Sequence, residues 1–328
     1  MRCVVTGATG LVGGNLAVEL IKAGHEVAAT RRGKSRVDTL AEWPIRWVQA
    51  DLGEPQALRQ AFEGADWVFH CAAAVGIPKE PTPELIAANV QGTLNVLEAV
   101  RAAGVRRLMH CSSVVAVGLT ENDQPCDENA TWNFDKYGLN DGYATTKHWA
   151  EQRLREAAGE QDFVICNPTY MFGPYDARPS SGRMIVDIAK RKVPGWTPGF
   201  NNFVDVRDVA RGMIAAVERG RRGERYILGG EEMRYKEIFE RIAAVAGVPA
   251  PTIGMPEFLA MGAGYVGDLQ EWITGKEALI NSVGVRYGFS TRFRFSSAKA
   301  RQELGYTPGP IEPAIEDALA WFRAQKML

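Results

Sequence analysis

A chain of 328 residues with 38 Lys and Arg against 39 Asp and Glu has almost no net charge, −1 at pH 7. That removes bulk electrostatic attraction as a route to nucleic acid or to an anionic membrane surface. Histidine is scarce, at four residues, and the five cysteines (3, 71, 111, 126 and 166) have no metal-like spacing. An odd set of thiols, most of them in apolar strand-like runs, is expected to stay reduced in a cytoplasmic compartment. No metal site and no disulfide framework is expected. No apolar run reaches membrane-spanning length, so no membrane partner is expected either. The first strand-like run starts almost at Met1, which leaves no room for a secretory leader. Internal repeats and low-complexity tracts are absent. At 46% hydrophobic and 23% charged residues, the composition suits a globular chain of one large or two modest domains.

Glycine, by contrast, is plentiful, with 34 residues, and three of them are ordered. The apolar run Cys3–Thr6 stops at Gly7 and passes into Leu11, Leu16, Ala17 and Leu20, which recur at helical spacing. The result reads as strand, tight turn, helix, with Gly7, Gly10 and Gly13 spaced G-x-x-G-x-x-G. Gly7 allows the sharp exit and Gly10 has no Cβ to block a phosphate. Gly13 lets the helix sit close on the strand, and the helix N-terminus faces an anionic pyrophosphate.

Strand and helix signals then alternate. Strands are predicted at 27–30, 45–50, 66–70, 106–111 and 163–166, and helices at 54–62, 84–103 and 143–158. This indicates an α/β fold with a Rossmann-type, doubly wound parallel sheet. Residues 1–170 form the expected dinucleotide domain, with later segments at about 203–230 returning to it. Residues 171–328 form a smaller, mostly helical lobe for the substrate. The second strand ends at Arg31-Arg32, with Lys34, Ser35 and Arg36 close by. An acidic residue there would bind a ribose diol, and a basic one suits a 2′-phosphate, so NADP is expected as cofactor, with NAD as the alternative. The polar stretch 119–141 reads as a long loop beside the site.

Tyr143 and Lys147 are four residues apart on a predicted helix, one above the other on one face. The cation is expected to lower the phenol pKa towards neutrality, making Tyr143 a proton donor to a carbonyl or acceptor from an alcohol. Ser113, at the end of the fifth strand, would offer a hydroxyl to the same oxygen. His70 and His110 are expected in the core. Trp132 and Trp196 are candidates for the pocket lining or for packing.

With these pieces in order, the chain resembles the extended short-chain dehydrogenases/reductases, the NAD-dependent epimerase/dehydratase family. The motifs are Thr6–Gly13, Asp51-Leu52, His70–Ala73, Asn89–Thr93, Ser112-Ser113, Tyr143-x-x-x-Lys147, Asn167-Pro168 to Gly173-Pro174, Phe203–Val206 with Asp208, and Lys299–Tyr306. The resemblance implies that Gly7, Thr9, Gly10, Leu11, Val12 and Gly13 bind cofactor with Arg31 and Arg32. It places Asp51 and Leu52 at the adenine, Ala72 and Ala73 beside the cofactor, and Lys147 on the nicotinamide ribose. Asn89 would position the helix behind Tyr143, and Asn167 joins the cofactor set. It also implies a homodimer through the helices 84–103 and 143–158.

The resemblance is to a dihydroflavonol-reductase-like branch, and to proteins labelled hopanoid-associated sugar epimerases. Three functions are open. The first is NADP(H)-dependent reduction of a small-molecule aldehyde or ketone, or oxidation of the alcohol. The second is a nucleotide-sugar epimerase or dehydratase with tightly bound cofactor. Against it, Asn201-Asn202 stands where such enzymes often carry Arg-Asp, and Asn167 replaces an arginine, although Arg183, Arg286, Arg292 or Arg294 would be substitutes. The third is a non-catalytic NADP-sensing regulator, against which stand Tyr143 and Lys147.

Overall fold

The computed structural model describes residues 1–33, 35–122, 124–275, 278 and 280–328. Strand β1 (Arg2–Thr6), buried from its second residue on, turns at Gly7 into α1 (Leu11–Lys22). β2 (Glu26–Arg31) and β3 (Arg46–Gln49) precede α2 (Pro55–Phe62), whose first residue is the proline that the sequence placed there. After β4 (Trp67–His70), the single helix expected over 84–103 is divided. It comprises α3 (Pro83–Leu85), a π-helical turn over Ile86–Gln91, and α4 (Gly92–Ala102). β5 (Arg107–Cys111), α5 (Gly142–Ala157) and β6 (Phe163–Pro168) complete the alternation. Then come β7 (Tyr170–Phe172), α6 (Arg183–Ala189), β8 (Phe200–Asp205), α7 (Val206–Arg219), β9 (Arg225–Leu228), β10 (Glu231–Arg234) and α8 (Tyr235–Ala246). The chain ends with α9 (Glu257–Thr274), α10 (Ser282–Phe289), α11 (Ala298–Leu304) and α12 (Glu312–Ala324).

Seven strands form one parallel sheet in the order β3-β2-β1-β4-β5-β6-β9. Both faces are covered, which explains why Cys3–Thr6 and Phe163–Cys166 read as unbroken apolar runs. On one face α1, α7 and α11 bury Leu16, Leu20, Met213, Val217 and Leu304 against the sheet. On the other, α2, α4 and α5 bury Leu58, Phe62, Val96, Val100 and Leu154. The doubly wound, Rossmann-type sheet read from the sequence is the fold observed.

A second core lies between the three-stranded sheet β10-β8-β7 and the helices α6, α8 and α12, and it contains Phe172, Phe203, Ile238, Ile315 and Phe322. β7 and β10 are only three and four residues long, too short to show periodicity, and neither is marked by the pattern of residues. The returning segment also differs in its bounds. Phe203–Asp205 belongs to the small sheet, whereas α7 and β9 pack into the main domain, joined later by Ala300, Leu304 and Tyr306. The stretch 119–141 is no surface excursion. Leu119, Phe134 and Leu139 are buried with Ile227, Phe293 and Phe295, and the N–H groups of Thr120 and Cys126 donate to the carbonyls of Arg292 and Arg294 at 3.2 and 2.9 Å.

The tightest constraint is at the first turn. Gly7 has φ +76°, and a Cβ there would lie 2.6 Å from the Ala72 nitrogen. A Cβ on Gly13 would lie 2.7 Å from the Gly7 carbonyl carbon. Gly13→Ala is therefore expected to cost about 1–3 kcal/mol, as overpacking does, and to lower the melting temperature measurably. An unchanged melting temperature would mean that α1 retreats from β1 freely.

Candidate active site

Ligands in such sheets lie outside the carboxyl ends of the strands, where the winding reverses. Here that crevice opens between β1 and β4, whose following loops touch at Gly7 and Ala72. The Gly10 N–H donates to the Gly7 carbonyl at 3.0 Å, and the first bond inside α1 runs from the Gly14 N–H to Gly10 at 2.9 Å. The N–H groups of Leu11, Val12 and Gly13 precede it and point out of the helix start. The cap residue Gly10 supplies no side chain to satisfy them. A Cβ on Gly10 would meet only the Gly7 oxygen, at 3.5 Å, so backbone there is open to an approaching group. Thr9 borders this cradle and is half-buried. The donor set and the open space fit a pyrophosphate.

At the far side of β1, Arg31 is the last residue of β2 and is half-buried, and Arg32 is exposed. The Arg32 N–H donates to Ser35 Oγ at 3.0 Å. Arg36 is committed to Asp38 at 2.8 Å, and Lys34 lies outside the described residues. Asp51, just past β3, takes the Gly53 N–H on Oδ1 at 3.0 Å, and it does not cap α2, whose cap is Glu54. The Leu52 carbonyl accepts from Asn95 Nδ2 at 2.7 Å, which ties this edge to α4.

Ala72 is held to β1 by its N–H, which donates to Thr6 Oγ1 at 3.2 Å, and Ala73 follows it along the crevice. The π turn delivers Asn89 to two places. Its amide pairs with the Ala74 backbone, accepting at 2.8 Å and donating at 3.0 Å, and also donates to Thr146 Oγ1 on α5 at 3.1 Å. A regular helix over 83–102 would turn this amide away, which accounts for the break. His70 bridges Thr6 and Thr93, and burial pushes its pKa down to about 3. His110 is lowered by burial as well. Both are neutral core residues.

α5 is set with care. Asp141 caps it, accepting from the Ala144 N–H at 2.8 Å, and is in turn held by the Tyr287 hydroxyl at 2.6 Å. The Gly142 N–H donates to the Pro78 carbonyl at 2.8 Å, and a Cβ there would sit 2.7 Å from the Glu80 carbonyl carbon. Tyr143, the second residue of α5, is half-buried, and its phenol lies close to the Ser113 side chain. Lys147 is buried, and its Nζ donates to the Cys111 carbonyl at 3.0 Å and lies 5.9 Å from the centre of the Tyr143 ring. Asn167 sits beneath the site rather than on its surface. It is fully buried and donates to the Ser113 carbonyl at 2.9 Å and to Glu151 at 2.5 Å.

Sequence reasoning missed Glu151, although the spacing 143, 147, 151 puts it on the same face, and its ion pair with Arg225 at 3.4 Å had no sequence signal. It also missed Asp141 and Tyr287. The first was legible as a cap residue, whereas the second is remote in the chain. Trp132 stacks on His148 at 4.5 Å and donates to the Val115 carbonyl at 2.9 Å, so it packs. Trp196 bridges to Gly254 at the edge of the second lobe.

One expectation is corrected. The Tyr143 phenol pKa is raised, not lowered, with burial the largest cause and the Ser113 hydrogen bond opposing it. The physical reason is placement. Lys147 Nζ is spent on a carbonyl and stands over the ring, while burial also pulls the lysine pKa down. In the cofactor-free protein, phenolate difference absorbance of wild type against Tyr143→Phe is expected to show no Tyr143 phenolate below the ordinary tyrosine value of 10. Phenolate appearing near neutrality would show that the lysine wins over burial.

A doubly wound sheet, a phosphate cradle at the first helix and a Ser–Tyr–Lys cluster at the strand ends define a dinucleotide-binding oxidoreductase. The chain belongs to the NAD dependent epimerase/dehydratase family, whose profile matches residues 3–229. The sterol demethylase protein B of Methylococcus capsulatus is 35% identical over 332 residues, covering 100% of both chains. A 4-hydroxy-2-methyl-3-oxo-4-farnesyl-3,4-dihydroquinoline-1-oxide ketoreductase of Stigmatella aurantiaca is 27% identical over 312 residues, 93% of this chain and 92% of that one. The solved structure of gox2253 superposes with a TM-score of 0.86 at 34% identity, covering 100% of this chain and 99% of that one.

Proposed function

We propose that the protein is an NADP(H)-dependent oxidoreductase that reduces an aldehyde or ketone to the alcohol, or runs the reverse reaction. The observation that carries this is the cluster of Ser113, Tyr143 and Lys147, with Lys147 one turn below the tyrosine and 5.9 Å from the centre of its ring. Ser113 Oγ and the Tyr143 phenol are two hydroxyl donors for one substrate oxygen. Bound NADPH supplies a hydride to the carbonyl carbon. As charge develops on the oxygen, Tyr143 transfers its proton there and Ser113 donates a hydrogen bond to it. Lys147, desolvated and close to the ring, stabilises the phenolate left behind. The high phenol pKa keeps Tyr143 protonated, as an acid must be. Asn89 and Asn167 hold α5 and the Ser113 backbone in register and touch no substrate.

A carbonyl reductase is favoured over a nucleotide-sugar enzyme by what the polar residues of the second lobe are doing. Asn202 accepts from Thr169 and from the Gly230 N–H, and Asn201 donates to Tyr235, so this pair is structural. Of the four arginines that could substitute, Arg183 is paired with Asp187, Arg294 with Glu232, and Arg292 donates to the Thr120 carbonyl, which leaves the Arg286 side chain as the one with no ion-pair or hydrogen-bond partner among the described residues. A diphosphate needs uncommitted arginines. The name of the Stigmatella ketoreductase agrees with carbonyl reduction. Preference for NADP rests on Arg31 and Arg32, neither of which has an ion-pair partner among the described residues.

Consumption of NADPH with a panel of aldehydes and ketones, beside a UDP-sugar panel, tests the reaction. Tyr143→Phe should lose about 100- to 10,000-fold in turnover, and Arg31→Ala with Arg32→Ala should weaken NADPH about tenfold or more while sparing NADH. Epimer formation without net NADPH loss, or tighter binding of NADH than of NADPH, would overturn the respective half. A homodimer through α4 and α5 belongs to the same proposal, and Trp149, 39% exposed on α5, supports it. Light scattering is expected to give twice the chain mass, and a monomer at micromolar concentration would refute the pairing.

A further inference from the structure

α9 is an inside-out surface helix. Two of its three acidic residues, Asp268 and Glu271, turn towards the protein, and the third, Glu257, is exposed at its first position. Asp268 accepts from the Ser282 N–H at 2.8 Å and its hydroxyl at 2.6 Å, and Glu271 accepts from Asn281 Nδ2 at 2.9 Å. On the same side Gly264 and Gly267 are the buried residues of the helix, close enough to α10 and its approach that a Cβ would lie 2.9 Å from Ser282 Cα or from the Ile280 carbonyl carbon. The other side is apolar. Phe258, Tyr265 and Trp272 recur every seventh residue, and Leu259, Val266 and Ile273 stand one position further on. At 100° per residue they cover about 140° of arc, with no charged residue in it. Trp272 is 82% exposed, Phe258 75% and Val266 68%. Ile280, Val75 and Ile77 are exposed as well, and the Ile77 carbonyl accepts from Asn281 Nδ2 at 2.6 Å. A surface of this size marks an interaction site.

We propose that α9 docks in the interface of a lipid bilayer, with its apolar arc among the upper acyl chains. Hydrocarbon asks for neither countercharge nor hydrogen-bond partner, and the arc offers neither. Tyr265 and Trp272 have rings that are apolar with one polar edge, which favours the headgroup boundary. The arc of about 140° is wider than the narrow seam that one partner helix covers. At 1.5 Å per residue the 18 residues of α9 extend about 27 Å, and they lie flat. Among the described residues no helix is long and apolar enough to cross a membrane. The balanced charge of the chain gives no electrostatic pull, so docking is insensitive to salt and needs no anionic lipid.

Flotation of the purified full chain with phosphatidylcholine vesicles, at low and high salt, tests this independently of any catalytic assay. Wild type is expected to float equally at both salts. Val266→Glu with Leu269→Glu should weaken binding about tenfold or more, with circular dichroism unchanged, and Trp272→Gln should weaken it less. These are exposed positions, and the milder variant keeps the test alive if the double one misfolds. Failure of wild type to float overturns the proposal, as does flotation that requires phosphatidylserine and vanishes at high salt, or a double variant that floats like wild type. A wild-type oligomer that the double substitution splits, with no flotation, would mean that a second copy covers α9.

Discussion

The site rests on how closely three pieces of backbone approach at the carboxyl end of β1. Gly7 touches the loop after β4, and Gly13 brings α1 against Gly7 itself. No side chain fits in either contact, so the helix start is fixed relative to the sheet by backbone alone. Every other distance follows from that anchor. The cradle faces the crevice where the sheet winding reverses, and Thr6 carries the order outward through His70, Thr93 and Asn89 to Thr146 on α5. Those groups are buried, and each bond left unmade would cost the desolvation of its partner. The chain of bonds therefore works as a brace between the phosphate end of the crevice and its reacting end.

At the reacting end the same burial sets the electrostatics. A cation one turn from a phenol lowers its pKa in water-rich surroundings, but here both groups are desolvated and each is pushed towards its neutral form. Burial holds Tyr143 in its protonated form against the opposing pull of Ser113, and Lys147 is aimed by the Cys111 carbonyl. Glu151, shared between Asn167 and Arg225, couples α5 to β6 and β9 from below. The second lobe contributes through Tyr287, which reaches the cap of α5 and joins the two.

Charge balance and apolar exposure answer different questions about surfaces. A net charge near zero rules out attraction over a distance, but it says nothing about a helix that turns Asp268 and Glu271 inward and its aromatics out, as α9 does.

Much of the frame was legible in order along the chain. The strand–turn–helix at Gly7, the parallel alternation and the pairing of Tyr143 with Lys147 are local patterns with fixed geometric meaning, because residue spacing sets which side chains share a face. The short strands β7 and β10 were not legible, since three or four residues carry no period, and neither was the π turn, whose cause is an amide bond to α5 across the fold. The sequence by itself determined the fold class, the glycine turn and the pairing of Tyr143 with Lys147 on one helix face. Only the tertiary structure decided the rest: that Asn167 lies buried beneath Ser113, that the Tyr143 pKa is raised rather than lowered, and that Tyr287 and Glu151 brace α5. The reason is that burial and long-range contact, which fix pKa and orientation, are properties of how distant segments meet and are written in no single stretch of chain.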